Sequence, residues 1–198
     1  MFGKKQEEKD LSHSAVLASQ RALDKKFGEL VEAEVASSFE QNSKPVSLHT
    51  LNQDNSILLA KMMETATEGL KITAILHYQT PILWVVDREG NFRFSLEEVI
   101  TKDNFRFLRP RLLSVKPSGD EARLGHPALL DEKVGRIGGE IVFDPGWGAI
   151  WPGWKITNLS GRYGTVHGRT SKHLENVVTL LESHGVKVDP IFFPTRKS

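Results

Sequence analysis

The sequence predicts an α+β protein in which N-terminal helices precede a mostly antiparallel sheet, with a helix and a strand at the C-terminus. Two observations indicate this class. Apolar residues recur at three- and four-residue steps before Gly69, which is the period of an amphipathic helix. Beyond Gly69, short β-rich segments alternate with turn-forming residues until the helical period returns at Ser171. The chain therefore divides into a disordered tail over residues 1–13, a helical segment over 14–69 and an α+β domain over 70–198.

Two helices are predicted in the N-terminal part. The first runs from Ser12 to about Phe39, and Ser12 or Ser14 can cap its N-terminus. Its apolar stripe needs a cover, which we expect from the rest of the domain or from a second copy of the chain. Asn55 can cap the second helix, which stops at Gly69.

Strands and turns fill the middle of the sequence. Ile72–Tyr78 and Ile82–Asp87 are rich in β-branched and aromatic residues, which favours strands. The turn Asp87–Asn91 then leads into Phe92–Phe94, where apolar and charged residues alternate. Ser95–Glu98 has the spacing of a capping box, so we expect a short helix to begin there.

The last third combines two strands, a helix and a final strand. Gly139–Phe143 and Lys155–Asn158 are predicted strands, and we expect them to pair in one sheet. Ser171–His184 has a clear helical period that ends at Gly185. Val186–Phe193 is the final predicted strand.

Composition and charge exclude several classes of protein. The 26 Lys and Arg residues balance 25 Asp and Glu, so any attraction to nucleic acid must come from a local patch. The absence of cysteine excludes disulfides and thiolate metal sites. The first ten residues lack the apolar core of a Sec-type signal peptide, and no apolar run approaches the roughly 18 residues of a membrane span. We therefore expect a cytoplasmic protein that would need a specialised secretion system to leave the cell.

A polar constellation lies in the C-terminal third. It consists of Gly125-His126-Pro127, Gly138-Gly139-Glu140 and the stretch from Asn158 to Gly164. Glycine-flanked bends allow a backbone to bring a histidine, a hydroxyl and a guanidinium around one pocket. The sequence therefore indicates where a functional site would lie.

These residue types suit two kinds of chemistry. His126 and Glu140 can exchange protons near neutral pH, and Arg162 can hold a phosphate together with the amides around Ser160. Tyr163 can stack on a base or a ribose. The set is suited to metal-independent cleavage of RNA, and it is equally suited to gripping a dinucleotide such as NAD. The residues alone leave both readings open.

The order of short motifs from Leu83 onward resembles an uncharacterised module at the C-termini of bacterial polymorphic toxins and secreted effectors. That module carries an Asp-Gly turn, a His-Ser-Ser element, an Ala-Gly-Glu strand and a Ser-Gly-His-Tyr element before a helix. The matching stretches are Val85-Val86-Asp87-Arg88-Glu89-Gly90, Gly125-His126-Pro127-Ala128, Gly138-Gly139-Glu140, Asn158-Leu159-Ser160-Gly161-Arg162-Tyr163 and Leu174-Glu175-Asn176. Two departures matter, because Pro127-Ala128 replaces the paired serines and Arg162 stands in place of the family histidine.

The resemblance implies a toxin-like or effector module, and the residue chemistry directs it towards RNA or a nucleotide. We expect no cofactor and no metal, and a cognate immunity protein or host target as the protein partner. Two alternatives remain open. In the first, the chain is an inactive binding or inhibitory module that uses a tryptophan-rich loop and the N-terminal helix. In the second, it is a structural protein that oligomerises through that helix.

The candidate residues divide by role. The candidates for catalysis are His126, Glu140, Ser160 and Tyr163. The candidates for substrate binding are Arg162, Arg136, Trp147, Trp151 and Trp154. The tryptophans form either a small core under their loop or an exposed aromatic platform. Ser160 lacks the Gly-x-Ser-x-Gly elbow of serine hydrolases, and the histidines lack the close spacing of a zinc site.

One further stretch is a candidate phosphate patch. Basic residues alternate with aromatic ones at Phe105, Arg106, Phe107, Arg109 and Arg111, and Lys116 extends the run. Such a run either binds phosphates or forms the solvated edge of a sheet.

Overall fold

The computed structural model describes residues 2–34, 37–67, 80–109, 111, 119–144, 153–166 and 168–195, with side chains from residue 15 onward except at 66 and 67. The helices are α1 (Phe2–Phe27), α2 (Ser38–Asn42), α3 (Gln53–Thr67), a 3-10 helix (His126–Leu129) and α4 (Ser171–Ser183). The strands are β1 (Val31–Glu32), β2 (His49–Thr50), β3 (Ile82–Asp87), β4 (Phe92–Leu96), β5 (Glu98–Thr101), β6 (Arg106–Leu108), β7 (Glu121–Arg123), β8 (Val134–Asp144), β9 (Gly153–Thr157) and β10 (Asp189–Ile191).

The strands form two sheets. The main sheet has the order β10-β9-β8-β3-β4-β2, and β1 pairs with the start of β8. All its pairs are antiparallel except β9 with β10. A smaller antiparallel sheet has the order β6-β5-β7. The chain passes directly from β4 of the main sheet into β5 of the small sheet through Glu97. This makes Glu97 the junction between the two sheets.

The two faces of the main sheet are covered differently. Helices α1, α3 and α4 cover the first face, where Phe27, Met63 and Leu181 pack against strand residues such as Trp84 and Ile141. The second face carries a smaller core formed by Ala33, Leu83, Val85, Leu129, Leu130 and Tyr163. Because side chains alternate along a strand, Glu140 shares this second face with its cross-strand neighbour Leu83.

Glycines in β8 allow a loop to approach the sheet closely. A Cβ at Gly139 would lie 1.8 Å from the carbonyl oxygen of Thr157, and one at Gly164 would lie 2.1 Å from that of Gly138. Neither backbone contact tolerates a side chain. The loop that carries Ser160 and Arg162 can therefore lie directly over the Gly138-Gly139 segment beside Glu140.

The structure confirms the α+β class and several predicted elements. Strands β8 and β9 contain the segments Gly139–Phe143 and Lys155–Asn158 up to Thr157, and they pair antiparallel with Glu140 opposite Thr157. Helix α4 matches the predicted C-terminal helix. The expected strand Ile72–Tyr78 and the helix end at Gly69 lie outside the described residues.

The bounds of the first helix differ from the prediction at both ends. Helix α1 begins at Phe2, so residues 2–13 have helical backbone where a disordered tail was expected, and neither Ser12 nor Ser14 is an N-cap. Lys, Glu and Gln are good helix formers, which explains the extension. The helix ends at Phe27 because Gly28 adopts a φ of 87°, a conformation that favours glycine.

Two other predictions are wrong. Ser95–Glu98 is not a helix, because β4 runs to Leu96 and β5 begins at Glu98. Tertiary hydrogen bonds override the local capping signal: the carboxylate of Glu98 accepts bonds from the backbone N–H groups of Val46 and Ser47 and from the Ser47 hydroxyl. The final strand is also shorter than Val186–Phe193, since only Asp189–Ile191 pairs with β9.

Candidate functional site

Charged side chains from several elements meet on the second face of the main sheet. We call Glu97, Arg111, Arg123, His126 and Glu140 the Glu140 cluster. Glu140 comes from β8, Arg123 from β7, His126 from the 3-10 helix and Glu97 from the junction between the sheets. Glu140 keeps only 7% of its surface exposed, so its charge requires partners inside the fold.

Arg111 supplies those partners by binding two carboxylates at once. Its Nη1 and Nη2 donate to Glu140 at 3.0 and 2.8 Å, and its Nε and Nη2 donate to Glu97 at 3.0 and 2.9 Å. Both contacts are bidentate, the geometry in which a guanidinium binds a carboxylate most strongly. The Arg111 side chain is 42% exposed, so it lies over Glu140 as a lid of positive charge that solvent can reach.

The network continues into the small sheet. Nη1 of Arg123 donates to Glu97 at 2.9 Å and to the carbonyl oxygen of Arg109 at 3.3 Å. Arg109 in turn binds Glu121 at 2.7 Å. Alternating arginines and glutamates therefore link β8 to the edge of the small sheet.

The two shared carboxylates have pKa values displaced in opposite directions. Burial raises the pKa of Glu140 above its ordinary value, and the hydrogen bonds from Arg111 only partly oppose this. Burial would also raise the pKa of Glu97, but hydrogen bonds and charge from Arg111, with the charge of Arg123, hold it below its ordinary value. Two carboxyl groups with diverging pKa values are the usual arrangement of an acid/base site.

His126 lies next to Glu140 as a neutral imidazole. Its Nε2 donates to the carbonyl oxygen of Gly139 at 2.9 Å, which fixes the tautomer with the proton on Nε2 when the ring is neutral. Burial lowers its pKa to about 4, and the charges of Arg111 and Arg162 act in the same direction. Among the described residues Nδ1 has no hydrogen-bond partner, so this nitrogen can accept a proton.

Arg162 is held beside His126 by a residue from the N-terminal part of the chain. Its Nη1 donates to both carboxylate oxygens of Glu40 at 2.8 Å, and Glu40 belongs to α2. Gly125 makes room for this pair, since a Cβ there would lie 2.8 Å from Oε1 of Glu40. The Arg162 side chain is 32% exposed, and within the described part of the chain Nε and Nη2 have no acceptor. These donors are suited to an anion.

Ser160 and Tyr163, both candidates for catalysis, have structural roles instead. The Ser160 hydroxyl accepts a bond from the backbone N–H of Tyr163 at 3.3 Å and closes the loop turn. The Tyr163 ring is fully buried, and its hydroxyl donates to the carbonyl oxygen of Lys133 at 2.8 Å. Burial raises the pKa of Tyr163 well above its ordinary value. Neither hydroxyl is positioned to contact a substrate.

Arg136, a candidate for substrate binding, is fully buried and attaches α1 to the sheet. Its Nη1 donates to Asp24 at 2.5 Å and to the carbonyl oxygen of Gly28 at 2.8 Å. Arg169 lies beside it and donates to the carbonyl oxygens of Tyr163, Glu29 and Arg136. These guanidiniums join the N-terminal helix to the domain, and Arg136 has no exposed surface to present to a substrate in this structure.

Trp154, another candidate for substrate binding, belongs to the core. The ring packs edge-on against Phe143 at 5.6 Å, and Nε1 donates to the carbonyl oxygen of Met63 in α3 at 2.9 Å. It therefore fixes α3 against β9 and offers no exposed platform. Trp147 and Trp151 lie outside the described residues.

Several members of the site escape sequence reasoning. In the sequence, Glu97 fits the predicted capping box, and Glu40 lies just beyond the predicted end of the first helix. Arg111 carries a signal, because the alternation of basic and aromatic residues marks it as a candidate for phosphate binding. No spacing rule connects these residues, because they meet only after both sheets have formed.

A comparison of the chain with protein-family models, curated proteins and solved structures finds no match. The resemblance to the toxin module therefore depends on the short sequence motifs alone. Of the helices that the structure describes, none is both long and apolar enough to cross a bilayer. Within the same residues, no three histidine or acidic side chains converge in a way that could hold a metal ion.

Proposed function

We propose that this chain is a toxin-like or effector module that cleaves single-stranded RNA by acid/base chemistry at the Glu140 cluster. The observation that carries the proposal is the pair of carboxyl groups that share the guanidinium of Arg111 beside the neutral ring of His126. Burial raises the pKa of Glu140, whereas Arg111 and Arg123 lower that of Glu97. From the motif resemblance we also propose that a specialised secretion system delivers the protein, and that its partner is a cognate immunity protein or a host protein.

The phosphodiester would be held by arginines. Arg162 presents Nε and Nη2, and Arg111 has one N–H on Nη1 with no acceptor among the described residues. A phosphate anion that draws Arg111 towards itself weakens the contact of that guanidinium with Glu140. Burial then favours the protonated carboxyl of Glu140, because its pKa is already raised.

The reaction then needs one base and one acid. Nδ1 of His126 takes the proton from the ribose 2′-hydroxyl, while the hydrogen bond from Nε2 to Gly139 keeps the ring oriented. The 2′-oxygen forms a bond to phosphorus as the bond from phosphorus to the 5′-oxygen breaks. Glu140 gives its proton to that 5′-oxygen, and Arg162 with Arg111 stabilises the charge on the phosphorane. The products are a 2′,3′-cyclic phosphate and a 5′-hydroxyl.

The test is an RNA cleavage assay with the purified chain. We expect cleavage to a cyclic phosphate, and no cleavage when 2′-deoxynucleotides replace the ribonucleotides. Glu140→Gln and His126→Gln should each lower kcat by about a hundredfold or more at an unchanged melting temperature. Glu98→Gln is a matched control, because Glu98 is equally buried at 5% exposure but lies outside the cluster.

Three outcomes would overturn the proposal. Consumption of NAD without cleavage of RNA would favour the dinucleotide reading of the same residues. Full RNA cleavage by Glu140→Gln would remove the cluster from the reaction. If neither substrate is consumed, and expression in bacteria does not arrest growth, the chain is a binding module.

A further inference from the structure

A stripe of aromatic and basic side chains leads along the small sheet to the Glu140 cluster. We call Phe105, Phe107 and Arg109 the β6 stripe. They alternate along the chain, so they lie on one face of β6 and its flanks, about 6.6 Å apart along the strand. β6 is an edge strand of the small sheet, since its described pairing is with β5 alone.

Within the stripe Phe105 is exposed, whereas Phe107 and Arg109 are half-buried, and their own contacts order the three side chains. Phe105 keeps 66% of its surface in solvent, which is unusual for so large an apolar side chain. Its ring lies 6.0 Å from that of Phe107 with the planes inclined by 28°. The guanidinium of Arg109 lies over the Phe107 ring, with Cζ 5.1 Å from the ring centre. This arrangement presents flat aromatic surface next to a cation.

Arginine donors beside the stripe are incompletely used. Nε of Arg106 and Nη1 of Arg109 are buried, and the part of the chain that the structure describes offers them no acceptor. Nη1 of Arg106 reaches only the carbonyl oxygen of Asn104, at 3.4 Å, which is long for a hydrogen bond. Unsatisfied buried donors are costly, so an acceptor on a ligand would stabilise the Arg109 guanidinium once that side chain turns towards solvent.

The stripe is continuous with the site. The carbonyl oxygen of Arg109 accepts a bond from Arg123, and Arg123 also binds Glu97. Arg111 follows Arg109 by two residues and covers Glu140. A chain-like ligand that lies along β6 would therefore reach the arginines of the Glu140 cluster.

We infer that the β6 stripe is the binding subsite for the single-stranded RNA substrate. Unpaired bases stack on Phe105 and Phe107, and a backbone phosphate contacts Arg109 on the same face, which leads the strand to Arg111. Stacking tolerates any base and needs an unpaired strand, so the subsite selects single strands without strong sequence preference. This inference extends the proposed function, on which it rests.

The test measures binding separately from cleavage. The probe is a short fluorescent 2′-O-methyl RNA strand, which lacks the nucleophilic 2′-hydroxyl, and its Kd is followed by anisotropy. Phe105→Ala should weaken binding about fivefold to a hundredfold, and the double variant with Phe107→Ala should weaken it further. Leu58→Ala is the control, because Leu58 is similarly exposed at 68% on α3, which packs on the opposite face of the main sheet.

The salt dependence and the strandedness of the probe provide the other readouts. Arg109→Gln should reduce the slope of log Kd against log salt by about 0.7, the value for one lost phosphate contact on a single strand. A duplex of the same sequence should bind more weakly than the single strand. Unchanged Kd in both phenylalanine variants, or preference for the duplex, would overturn the subsite. Tight binding that depends on Phe105 without any cleavage would retain the subsite and overturn only the proposed reaction.

Discussion

Gly139 and Gly161 differ in what surrounds them, although both lie in the glycine-flanked motifs. A Cβ at Gly139 would meet the backbone of Thr157 at 1.8 Å, whereas one at Gly161 would have nothing within 4 Å. We expect Gly139→Ala to lower the free energy of unfolding by about 3 kcal/mol, because β9 must move away from β8. Gly161→Ala should change it by less than about 1 kcal/mol. Equal effects in urea denaturation would contradict this account.

His126 should make stability depend on pH in a defined window. Its pKa is about 4 in the fold and 6.5 in the unfolded chain, so between these values the unfolded chain binds a proton that the fold does not. Stability is therefore full above about pH 6.5 and falls as the pH drops towards 4, by up to about 3 kcal/mol.

The control for this pH dependence is His126→Gln, which can keep a donor towards Gly139 and cannot titrate. The difference in unfolding free energy between the two proteins should change between pH 7 and pH 4.5, in favour of the variant at low pH. Arg111, which both proteins keep, is the main cause of the lowered pKa of Glu97, so the contribution of Glu97 largely cancels in the difference. A constant difference would show that the ring titrates normally.

For single residues, the sequence indicates which chemical groups are present better than it indicates which of them a ligand can reach. His126, Glu140 and Arg162 are predicted as a group, and the structure brings them together. Equally suitable groups are carried by Ser160, Tyr163 and Arg136. In the folded chain, however, these side chains form hydrogen bonds with backbone groups. Burial depends on neighbours that are distant in sequence, so residue type and spacing do not reveal it.

Among the elements, α1 makes its contacts with the domain near its C-terminus, as far as its described side chains from residue 15 onward show. Phe27 is buried, and the side-chain amide of Asn176 on α4 donates to the carbonyl oxygen of Lys26. Val16 and Leu17, further towards the N-terminus, are largely exposed. Deleting residues 1–19 should therefore shift Tm by less than about 4 °C, equivalent to roughly 1 kcal/mol or a little more in a chain of this size.

A longer deletion provides the contrast. Removing residues 1–27 takes away Phe27 and Asp24, which leaves apolar core surface exposed and the buried guanidinium of Arg136 without its carboxylate. We expect this protein to aggregate, as followed by size-exclusion chromatography. A monomeric product with the original Tm would contradict the role of α1.

The elements that sequence predicts best have strong periods of their own. Helix α4 carries Leu174, Val177, Val178 and Leu181 on one buried face, and β8 and β9 are framed by turn residues. The elements that differ are those where a distant group competes with a local signal. The Ser47 hydroxyl donates a hydrogen bond to Glu98, which keeps Glu98 out of the predicted helix. Gly28, with its positive φ, ends α1 although the apolar pattern continues to Phe39.

On the scale of the whole molecule, Arg111 connects the main sheet to the small one. It binds Glu140 of β8 and Glu97 at the junction. We expect Arg111→Met to lower the free energy of unfolding at pH 7 by about 2 kcal/mol, below the usual cost of breaking a buried pair because the side chain is half exposed. Arg111→Lys keeps the charge and should lose less.

The pH dependence of that loss provides the check. Without the guanidinium, burial and mutual repulsion raise the pKa of both carboxyl groups in the fold above their unfolded values. The folded variant then binds more protons than the unfolded chain, so its stability rises as the pH falls. The deficit relative to the wild type should shrink between pH 7 and pH 5. A deficit that grows in this range would show that the carboxylates have other partners.

The attachment of α1 has a consequence for synthesis of the chain. Asp24 and Arg136 are 112 positions apart, and β1 pairs with the start of β8. On the ribosome, the first thirty or so residues are made long before the strand that receives them, and the central strand of the main sheet emerges only in the last third. Such distant pairings slow folding and leave early segments exposed. During synthesis the chain therefore carries a helix whose sheet partners are not yet made, and chaperones at the ribosome would meet this helix first.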